Sequence, residues 1–457
     1  MDPKITQYLA RNEVGDAELF VELFPHTYCY DPKAHKWYRW GEHYWREEGE
    51  GVVSAINEVV KVYQKEMSGA YGGARQELER RVTKLNTYQR RGNVLKLAAS
   101  MLSNETEIKW DSHPWLLPCP SGVVDLRTGK VVPGTQEDYL RSFCPTKFVG
   151  LKAPCRRWEE FLLEIMDGDV EMVGYIQRLV GYALSGTSSE GIFPILWGRG
   201  RNGKGTMLEV LGKVLGDFAT PVSSSLLVEQ TYTRNSAAAS PDLMKLQGKR
   251  LVWANEIDEG RKLSSALVKW LVGGDSITAR QLYGAETTFR PTHTIFLLTN
   301  HKPVVDAEDY ALWQRLHLIP FKLSFVERPD KPNERKRDMD LVRRFTKIED
   351  QGILSWAVRG CLEWQEYGLL PPTTVTTAVQ EYAEEEDYIK MFLEDETVVG
   401  GEGWTRALDV YTRYREWAKA RGMVVFSMTK FGKDLSGRVV KRRRYSSNEY
   451  QVWMKVG

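Results

Sequence analysis

Residues 192–206 read Ile-Phe-Pro-Ile-Leu-Trp-Gly-Arg-Gly-Arg-Asn-Gly-Lys-Gly-Thr. The first six residues form a short apolar run that predicts a buried strand, and the pattern from Thr206 to Leu215 predicts a helix. Between them, Gly198 and Gly203-Lys204 have the spacing of a phosphate-binding loop. Glycines allow backbone N–H groups to turn towards phosphate oxygens, and the start of a helix favours negative charge. The stretch therefore predicts a protein that binds and hydrolyses a nucleoside triphosphate.

The same loop supplies a set of predicted ATP-binding residues and one departure from the usual motif. The predicted ATP-binding residues are Gly198, Gly200, Asn202, Gly203, Lys204, Gly205 and Thr206. Lys204 is expected to reach the β- and γ-phosphates. The usual motif has Ser or Thr directly after the lysine to bind Mg²⁺, whereas this chain has Gly205 there and a hydroxyl one residue later. Either Thr206 reaches the metal through a shifted loop, or water replaces the missing ligand.

Two further apolar runs complete the pattern of an α/β protein. Residues 250–254 and 294–300 each predict a buried strand, and strands that alternate with helices are typical of a parallel sheet. A triphosphatase needs a carboxylate at a strand end to hold magnesium and orient water. Glu256 and Asp258 are predicted to form an acidic tip after the second strand, with Glu256 as a metal ligand. Asn300 ends the third strand, where it would position the attacking water, unless it is only a turn residue.

Arg315 lies directly before a fourth apolar run, residues 316–321. An arginine that one subunit presents to the phosphates bound by its neighbour neutralises charge in the transition state of phosphoryl transfer. The residue type alone does not distinguish this role from a surface salt bridge. Arg315 therefore becomes a candidate catalytic residue only in company with the other motifs.

Bulk properties favour a multidomain protein of the cytoplasm. The chain has 457 residues, of which 42% are hydrophobic and 27% charged, and this length favours two to four domains. No apolar run is long enough for a membrane span, and no signal-peptide pattern opens the sequence. The five cysteines are scattered and never spaced as Cys-x-x-Cys, which argues against a disulfide framework or a zinc site.

Charge is concentrated in the last segment of the chain. Residues 401–457 hold thirteen Lys or Arg against five Asp or Glu, whereas the first 400 hold 50 against 56. Their order of helix, helix capped by Ser427, and basic hairpin is that of a winged helix. A basic module on a nearly neutral body suggests a polyanionic partner, and DNA is the leading candidate. A solvated basic face or a subunit contact is the competing interpretation.

Several other segments have a predicted structure. Residues 37–45 predict a small aromatic sheet, and residues 122–132 a hairpin. The ranges with helical spacing of apolar residues are 52–65, 75–102, 157–184, 353–366 and 376–393. The charged residues 330–350 predict a solvated connection, and residues 397–404 a domain boundary.

The motifs occur together in an order that resembles a known family. After the loop come Lys249-Arg250-Leu-Val-x-x-x-Glu256, then Lys269-x-Leu-x-Gly-Gly-Asp-x-Ile-x-x-Arg280-x-Leu-Tyr283, then Phe-Leu-Leu-Thr-Asn300, then Trp-x-Arg315. This array resembles the helicase part of phage and plasmid primase–helicases, which belong to superfamily 3 of the AAA+ ATPases. The likeness is strongest over about residues 190–322 and extends into the preceding region and the tail.

The resemblance implies a fold class and a domain order. The fold would be α/β, with an AAA+ ATPase core, an α+β N-terminal domain and a small C-terminal winged helix. The implied parts are a pre-helicase domain (1–155), a helical collar segment (156–190), the ATPase core (191–330), a helical lid and linker (331–400) and the winged helix (401–457). It also implies ATP and Mg²⁺ as cofactors.

The implied activity is that of an ATP-driven helicase, assembled as a hexameric ring, that moves 3′ to 5′ on single-stranded or forked DNA. Each ATP site would be completed by Arg315 of the neighbour, and residues 275–291 would hold a hairpin that projects into the central channel. The expected setting is the replication of a phage, prophage or plasmid in a bacterial cell, with a separately encoded primase or polymerase as a further partner.

Ten residues are predicted to contact DNA. In the core they are Lys269, Arg280, Tyr283 and Arg290; in the tail they are Lys430, Lys433, Lys441, Arg442, Arg443 and Arg444. For Lys269 and Arg280, ion pairs within the ATPase core are the competing interpretation. The tail residues would position the protein on phosphate and not read sequence.

Two other activities compete with the helicase. An ATP-switched origin-binding or loading protein would bind DNA without processive unwinding, and an ATPase that acts on protein or RNA would not respond to single-stranded DNA. No priming activity is expected, because the two Asp-x-Asp pairs, at Asp167 and Asp338, lie in predicted loop or helix-edge settings and not on strands.

Overall fold

The computed structural model describes residues 2–103, 108–229, 240–280, 286–399, 403–421, 423, 425–444 and 447–455. No helix in these ranges is long and apolar enough to cross a membrane. The five cysteines are unpaired thiols, four of them buried and Cys29 half-buried. The absence of disulfides agrees with the spacing argument.

The first part of the chain combines helices with two small antiparallel sheets. Its elements are α1 Pro3–Ala10, α2 Asn12–Leu23, β1 Tyr28–Asp31, β2 Lys36–Trp40, β3 Trp45–Glu48, α3 Gly51–Met67, α4 Gly72–Leu85, α5 Tyr88–Leu102, β4 Leu116–Cys119, β5 Gly122–Asp125 and β6 Lys130–Val132. The sheets have the orders β1-β2-β3 and β4-β5-β6. The aromatic sheet and the hairpin predicted here are both present.

The predicted single helix over residues 75–102 is wrong, because the chain forms two helices there. Thr87 interrupts the apolar periodicity, and its hydroxyl accepts a hydrogen bond from the backbone N–H of Arg90. A side-chain cap of this kind starts a new helix, since it satisfies a backbone donor that has no partner within the helix.

The central part holds the main sheet and the helices around it. Its elements are α6 Arg156–Ile165, α7 Val170–Ser185, β7 Phe193–Trp197, α8 Lys204–Leu215, β8 Ala219–Ser223, α9 Pro241–Met244, β9 Leu251–Asn255, α10 Ser265–Val272, β10 Ile277–Arg280, β11 Glu286–Phe289, β12 Thr294–Thr299, α11 Tyr310–Trp313 and β13 Leu316–Pro320. The Asp167 pair lies between α6 and α7, where Asp169 caps α7 by accepting from the N–H of Met172.

Five parallel strands form the sheet in the order β13-β7-β12-β9-β8. Both faces are covered: in β12, Ile295 and Leu297 pack into one hydrophobic cluster, whereas Phe296 and Leu298 pack into another. Burial on both faces is what parallel sheets require, and it explains why the strands read as continuous apolar runs. The predicted α/β core, a parallel sheet flanked by helices, is confirmed.

The charged residues 330–350, which were predicted as a solvated connection, are mostly exposed, but they also form regular structure. After β14 Ser324–Val326 the segment contains β15 Glu334–Lys336 and α12 Leu341–Lys347. Phe345 of α12 is fully buried, and its ring lies 5.3 Å from that of Trp158 in an edge-on arrangement. Phe345, with the partly buried Leu341 and Val342, therefore anchors this charged helix on the core.

The last part of the chain begins with two helices that pack on the core and continues into a tail with its own hydrophobic cluster. Its elements are α13 Asp350–Tyr367, α14 Thr373–Glu385, α15 Tyr388–Glu396, β16 Thr397–Val399, β17 Thr405–Arg406, α16 Ala407–Ala420, α17 Met428–Ser436, β18 Lys441–Arg444, β19 Ser447–Tyr450 and β20 Val452–Met454. Ile389 and Phe392 of α15 pack with Tyr414 and Phe431 of the tail. Strand β16 pairs with β20, so the packing of the tail begins before residue 401. The predicted single helix over 376–393 is two helices, because Asp387 caps α15.

Candidate nucleotide site and nucleic-acid surfaces

The phosphate loop joins the end of β7 to the start of α8, and two of its glycines are held in places where no side chain fits. A Cβ atom on Gly203 would lie 2.5 Å from a methyl carbon of Ile165, and Gly203 has a φ of 88°. A Cβ on Gly198 would lie 2.2 Å from the carbonyl oxygen of Phe321. Both distances are far below van der Waals contact, so the close approach of the backbone requires glycine at these positions.

Lys204 is the first residue of α8, and its side chain is buried under the loop. The residue is 5% exposed, and its ammonium group donates to the carbonyl oxygen of Gly198 and, at 3.4 Å, to Oδ1 of Asn300. Burial lowers the pKa of Lys204 to about 8, and the nearby Glu256 carboxylate opposes this shift. The charge is therefore kept in place by neutral oxygens, which a phosphate group could replace.

Asn300 connects the phosphate loop to the acidic strand end. Its Oδ1 accepts from the N–H of Gly200 at 3.0 Å, and its Nδ2 donates to Oε1 of Glu256 at 3.1 Å. The sheet order explains this contact, because β12 lies between β7 and β9 and the carboxyl ends of parallel strands meet at one edge. Lys204, Asn300 and Glu256 thus form one hydrogen-bonded chain across three adjacent strand ends.

The loop holds one polar group without a partner. Asn202 is 3% exposed, and its Nδ2 makes no hydrogen bond to the described residues. A buried donor without an acceptor costs about 1–3 kcal/mol, so an unpaired amide inside a phosphate loop is a position where a ligand oxygen would be stabilised.

The segment after β13 contacts the loop through backbone hydrogen bonds that the sequence did not predict. Phe321 donates its N–H to the carbonyl oxygen of Trp197, and Phe325 of β14 donates to that of Arg201, both at 2.7 Å. Arg201 has a φ of 53°, a left-handed conformation that is costly for a residue with a Cβ. Backbone contacts of this kind do not depend on side-chain type, so no sequence signal could have revealed them.

The two acidic residues predicted after β9 have different surroundings. Glu256 leaves the strand with a φ of 37°, which turns the chain sharply, and its carboxylate reaches Asn300. Asp258 is exposed, and no hydrogen bond or ion pair joins its side chain to the loop within the described residues. Ile257 between them is buried. Only one of the two predicted carboxylates is therefore brought to the phosphate loop.

Arg315 lies at the amino ends of the parallel strands, opposite the carboxyl ends where the phosphate loop lies. Its carbonyl oxygen accepts from the N–H of Phe193, the first residue of β7, whereas the phosphate loop follows the last. One five-residue strand, about 16 Å, therefore separates it from the loop of its own chain. Its guanidinium donates to the carbonyl oxygen of Ala311, and its Nε is buried without a partner among the described residues.

Gly205 faces open space. A Cβ added there would meet no atom within 4 Å, and the hydroxyl-bearing Thr206 beside it is half-buried. A threonine at 205 would therefore fit without displacing a neighbour. This geometry allows a direct test of the predicted role of Thr206 as a Mg²⁺ ligand.

We predict that Thr206→Ala lowers Mg²⁺-dependent hydrolysis by about tenfold or more, since loss of a metal ligand or of its supporting contacts has effects of about 10–100-fold. We further predict that Gly205→Thr placed in the Thr206→Ala background restores part of the activity, because it returns a hydroxyl to the usual position. The measurement is kcat against Mg²⁺ concentration. Wild-type kcat in Thr206→Ala would contradict the assignment of Thr206.

The pKa of Lys204 predicts how nucleotide binding depends on pH. The phosphate group favours the charged lysine, so binding raises a pKa that burial has lowered to about 8. Above this pH, binding must take up a proton, and affinity is expected to fall by up to about tenfold for each pH unit. Titration calorimetry at pH 9 in two buffers of different ionisation enthalpy measures the proton uptake. Equal heats in both buffers would contradict the prediction.

The predicted DNA-binding residues of the core lie in two settings. Lys269 pairs with Asp309 at 3.1 Å, the ion-pair arrangement that the sequence left open. Arg280 ends β10 opposite Glu286 of β11, and Arg290 follows β11 and is exposed. Strands β10 and β11 pair antiparallel within the range 275–291 where a hairpin is expected, and Tyr283 lies outside the described residues.

The predicted DNA-binding residues of the tail also differ from one another. Lys430 pairs with Asp306 of the core at 2.9 Å, whereas Lys433 is exposed. Arg442 pairs with Glu449 at 2.8 Å and lies 4.0 Å from the centre of the Trp404 ring. Lys441, Arg443 and Arg444 are exposed along β18. The sequence could not show that Lys430 faces the core, because its partner lies 124 positions earlier in the chain.

Two family models match the chain. Residues 17–167 match the family described as "D5 N terminal like", and residues 196–315 match a family of unknown function (DUF5906). The second range starts within β7 and ends at Arg315, so it spans every candidate catalytic residue named above.

The curated relatives are viral proteins. The chain is 28% identical over 436 residues to "Putative helicase L207/L206" of Acanthamoeba polyphaga mimivirus, a match that covers 88% of this chain and 45% of the relative. It is 24% identical over 327 residues to "Putative primase C962R" of African swine fever virus, covering 68% of this chain and 34% of the relative. With "Primase D5" of fowlpox virus the identity is 26%, and the shares are 50% and 30%. The chain thus spans less than half the length of these relatives.

A solved structure shares the fold at low sequence identity. The C-terminal region of NrS-1 superposes with a TM-score of 0.51 and 11% identity, covering 96% of this chain and 98% of that one. The likeness supports the α/β core and the order of elements around it. Taken together, the N-terminal match and the viral relatives support a likeness of this chain to the D5-like primase–helicases.

Proposed function

We propose that this chain is the ATP-driven motor of a DNA helicase that serves the replication of a virus, phage or plasmid. The printed names of its relatives, helicase and primase, support an enzyme of DNA replication. The single observation that carries the proposal is the hydrogen-bonded chain from Lys204 through Asn300 to Glu256. In this chain, the Asn300 amide contacts both Lys204, the cation that would bind phosphate, and Glu256, the carboxylate that would bind the attacking water.

Each residue has a distinct role in this proposal. The buried Lys204 and the backbone N–H groups of the loop bind the β- and γ-phosphates, and the unpaired amide of Asn202 donates to a phosphate oxygen. Asn300 positions the attacking water, and Glu256 accepts its proton. Thr206 and Glu256 would hold Mg²⁺, which neutralises phosphate charge when it is bound. Asp258 has no role that its position supports.

The position of Arg315 supports assembly into a ring. A catalytic arginine at the far edge of the sheet can reach a γ-phosphate only if another copy of the chain places that edge against its own loop. A contact between the Arg315 end of one copy and the phosphate loop of the next is head-to-tail. Repeated head-to-tail contacts form a closed ring when the rotation between successive copies adds up to a full turn. The hexameric size and 3′-to-5′ movement come from the family resemblance, as does the role of the β10–β11 hairpin in the channel.

One observation favours the second candidate, an ATP-switched DNA-binding protein that does not unwind. The open space at Gly205 leaves the usual position of a metal ligand without a hydroxyl. If hydrolysis is slow for this reason, the bound nucleotide would control DNA binding and would not drive movement along DNA. Both candidates predict ATP binding, so they differ only in whether DNA strands separate.

Strand displacement on a forked DNA with two single-stranded arms tests the proposal. We expect ATPase activity to rise when single-stranded DNA is added, and the fork to open only with a hydrolysable nucleotide. Forks whose duplex is blocked at one arm or the other report the direction. DNA-stimulated hydrolysis without displacement would reject the helicase in favour of the switch. Hydrolysis that does not respond to DNA would reject both.

A further inference from the structure

The orientation of the tail on the core limits which of its surfaces is available. Helix α17 faces the core: Lys430 pairs with Asp306 at 2.9 Å, and Asp434, one turn later, is 5% exposed. Arg438, just beyond the helix, pairs with Asp387 at the start of α15 at 2.6 Å. The helix that would read DNA in a winged helix is therefore used here to dock the tail.

The three-stranded sheet of the tail, in the order β17-β19-β18, has two unlike faces. Residues directly opposite each other in an antiparallel sheet share a face. Tyr450 lies opposite Thr405 and Lys441, is 2% exposed and packs into the hydrophobic cluster of the tail. The other face therefore points away from this cluster.

That outward face is rich in arginine. Glu449 lies opposite Arg406 on one side and Arg442 on the other, and Arg444 follows Arg442 on the same face. We call Arg406, Arg442, Arg444 and Glu449, together with Trp404, the arginine face. This face therefore carries three arginines and one carboxylate, that of Glu449, which pairs with Arg442 at 2.8 Å. Sequence analysis missed Arg406 because it lies outside the basic run, 35 positions before Lys441.

The arrangement keeps one guanidinium in a fixed place. Arg442 donates to Glu449 at 2.8 Å, and its guanidinium carbon lies 4.0 Å from the centre of the Trp404 ring. Cation–π contact and a charge-assisted hydrogen bond hold its plane, which reduces the entropy lost when a phosphate binds. The half-buried Trp404 thus acts as a positioning residue for Arg442.

We propose that the arginine face is the nucleic-acid site of the tail, and that its ligand is the phosphate backbone of single-stranded DNA. The inference rests on the proposed function only for the choice of DNA. It replaces the prediction that the whole run from Lys441 to Arg444, together with α17, contacts DNA. Arginine binds phosphate through two parallel hydrogen bonds, and three such groups along neighbouring strands suit an extended chain of phosphates.

The test compares binding of a fluorescent oligothymidylate to the full chain without nucleotide, at several salt concentrations. For Arg406→Gln with Arg444→Gln we expect affinity to fall about tenfold or more, and the slope of log K against log salt to fall by about 1.4, since each phosphate contact on single strands contributes about 0.7. The matched control is Arg415→Gln with Lys419→Gln, which removes the same charge from exposed positions of α16. This control should change affinity less than about twofold.

Three further outcomes decide the assignment. Trp404→Leu should weaken DNA binding although it leaves the charge unchanged. If the Arg442–Glu449 pair had only a structural role, this variant would bind DNA as wild type does. Equal losses in the α16 control, or in Lys441→Gln with Arg443→Gln, would overturn the one-face assignment. A loss confined to RNA oligonucleotides would overturn the assignment to DNA. Because DNA binding is measured without nucleotide, it can succeed even if the chain fails to displace strands.

The variants are shown to be folded if their ATPase activity without DNA equals that of wild type.

Discussion

Replacement of Lys204 by alanine is expected to lower ATP hydrolysis by about 100-fold or more, and to abolish strand displacement. Removal of one preorganised charge or donor from a buried phosphoryl site has effects of about 10²–10³ on kcat. Lys204 is such a group, because it is 5% exposed and its ammonium lies at hydrogen-bond distance from Asn300. The measurement is steady-state phosphate release, with nucleotide binding followed separately by calorimetry.

The control for this variant is Lys213→Ala on the same helix. Lys213 is half-exposed and pairs with Glu209 on the surface at 2.7 Å. Exposed pairs of this kind contribute about 0–1 kcal/mol, so hydrolysis and stability should stay near wild type. Strand displacement that survives Lys204→Ala would reject the phosphate loop as the source of energy.

Replacement of Arg315 by alanine is expected to lower kcat by about 10³-fold while nucleotide affinity stays within a few-fold of wild type. The expected size is that of a catalytic arginine supplied by a neighbouring subunit. Affinity should survive because Arg315 lies at the opposite end of β7 from the phosphate loop. Pre-steady-state binding and single-turnover hydrolysis separate the two quantities.

Gln314→Ala is the matched control, since Gln314 is the exposed neighbour of Arg315. A loss of nucleotide affinity as large as the loss of kcat in Arg315→Ala would place the arginine in its own chain's site and contradict the shared-site account. Thermal unfolding of both variants checks that the contact with Ala311 is not required for folding.

The sequence predicted the sheet and the strand ends well, because both depend on local patterns. Continuous apolar runs mark strands that are buried on two faces, and Glu256 and Asn300 follow such runs directly. Once the strand order is known, their meeting with Lys204 follows from the geometry of a parallel sheet. The glycines of the loop were predictable for the same reason.

The remaining features depend on contacts between distant segments, which local patterns do not encode. Backbone groups of Phe321 and Phe325 donate hydrogen bonds to Trp197 and Arg201, and Lys430 pairs with Asp306. Composition made Lys430 look like a DNA-binding residue, whereas tertiary packing makes it a docking residue. Phe345 similarly anchored a helix in a segment whose charge suggested a solvated connection.

We propose that each ATP site is shared between two copies of the chain, and a mixture of two inactive variants distinguishes a shared site from a self-contained one. Lys204→Ala supplies an intact Arg315, and Arg315→Ala supplies an intact phosphate loop. In an equimolar mixture of head-to-tail assemblies, about a quarter of the contacts would join the two intact halves. We expect ATP hydrolysis, absent from either variant alone, to reappear in the mixture at about a quarter of the wild-type rate. A mixture that stays as inactive as its components, although the two variants are shown to co-assemble, would contradict it.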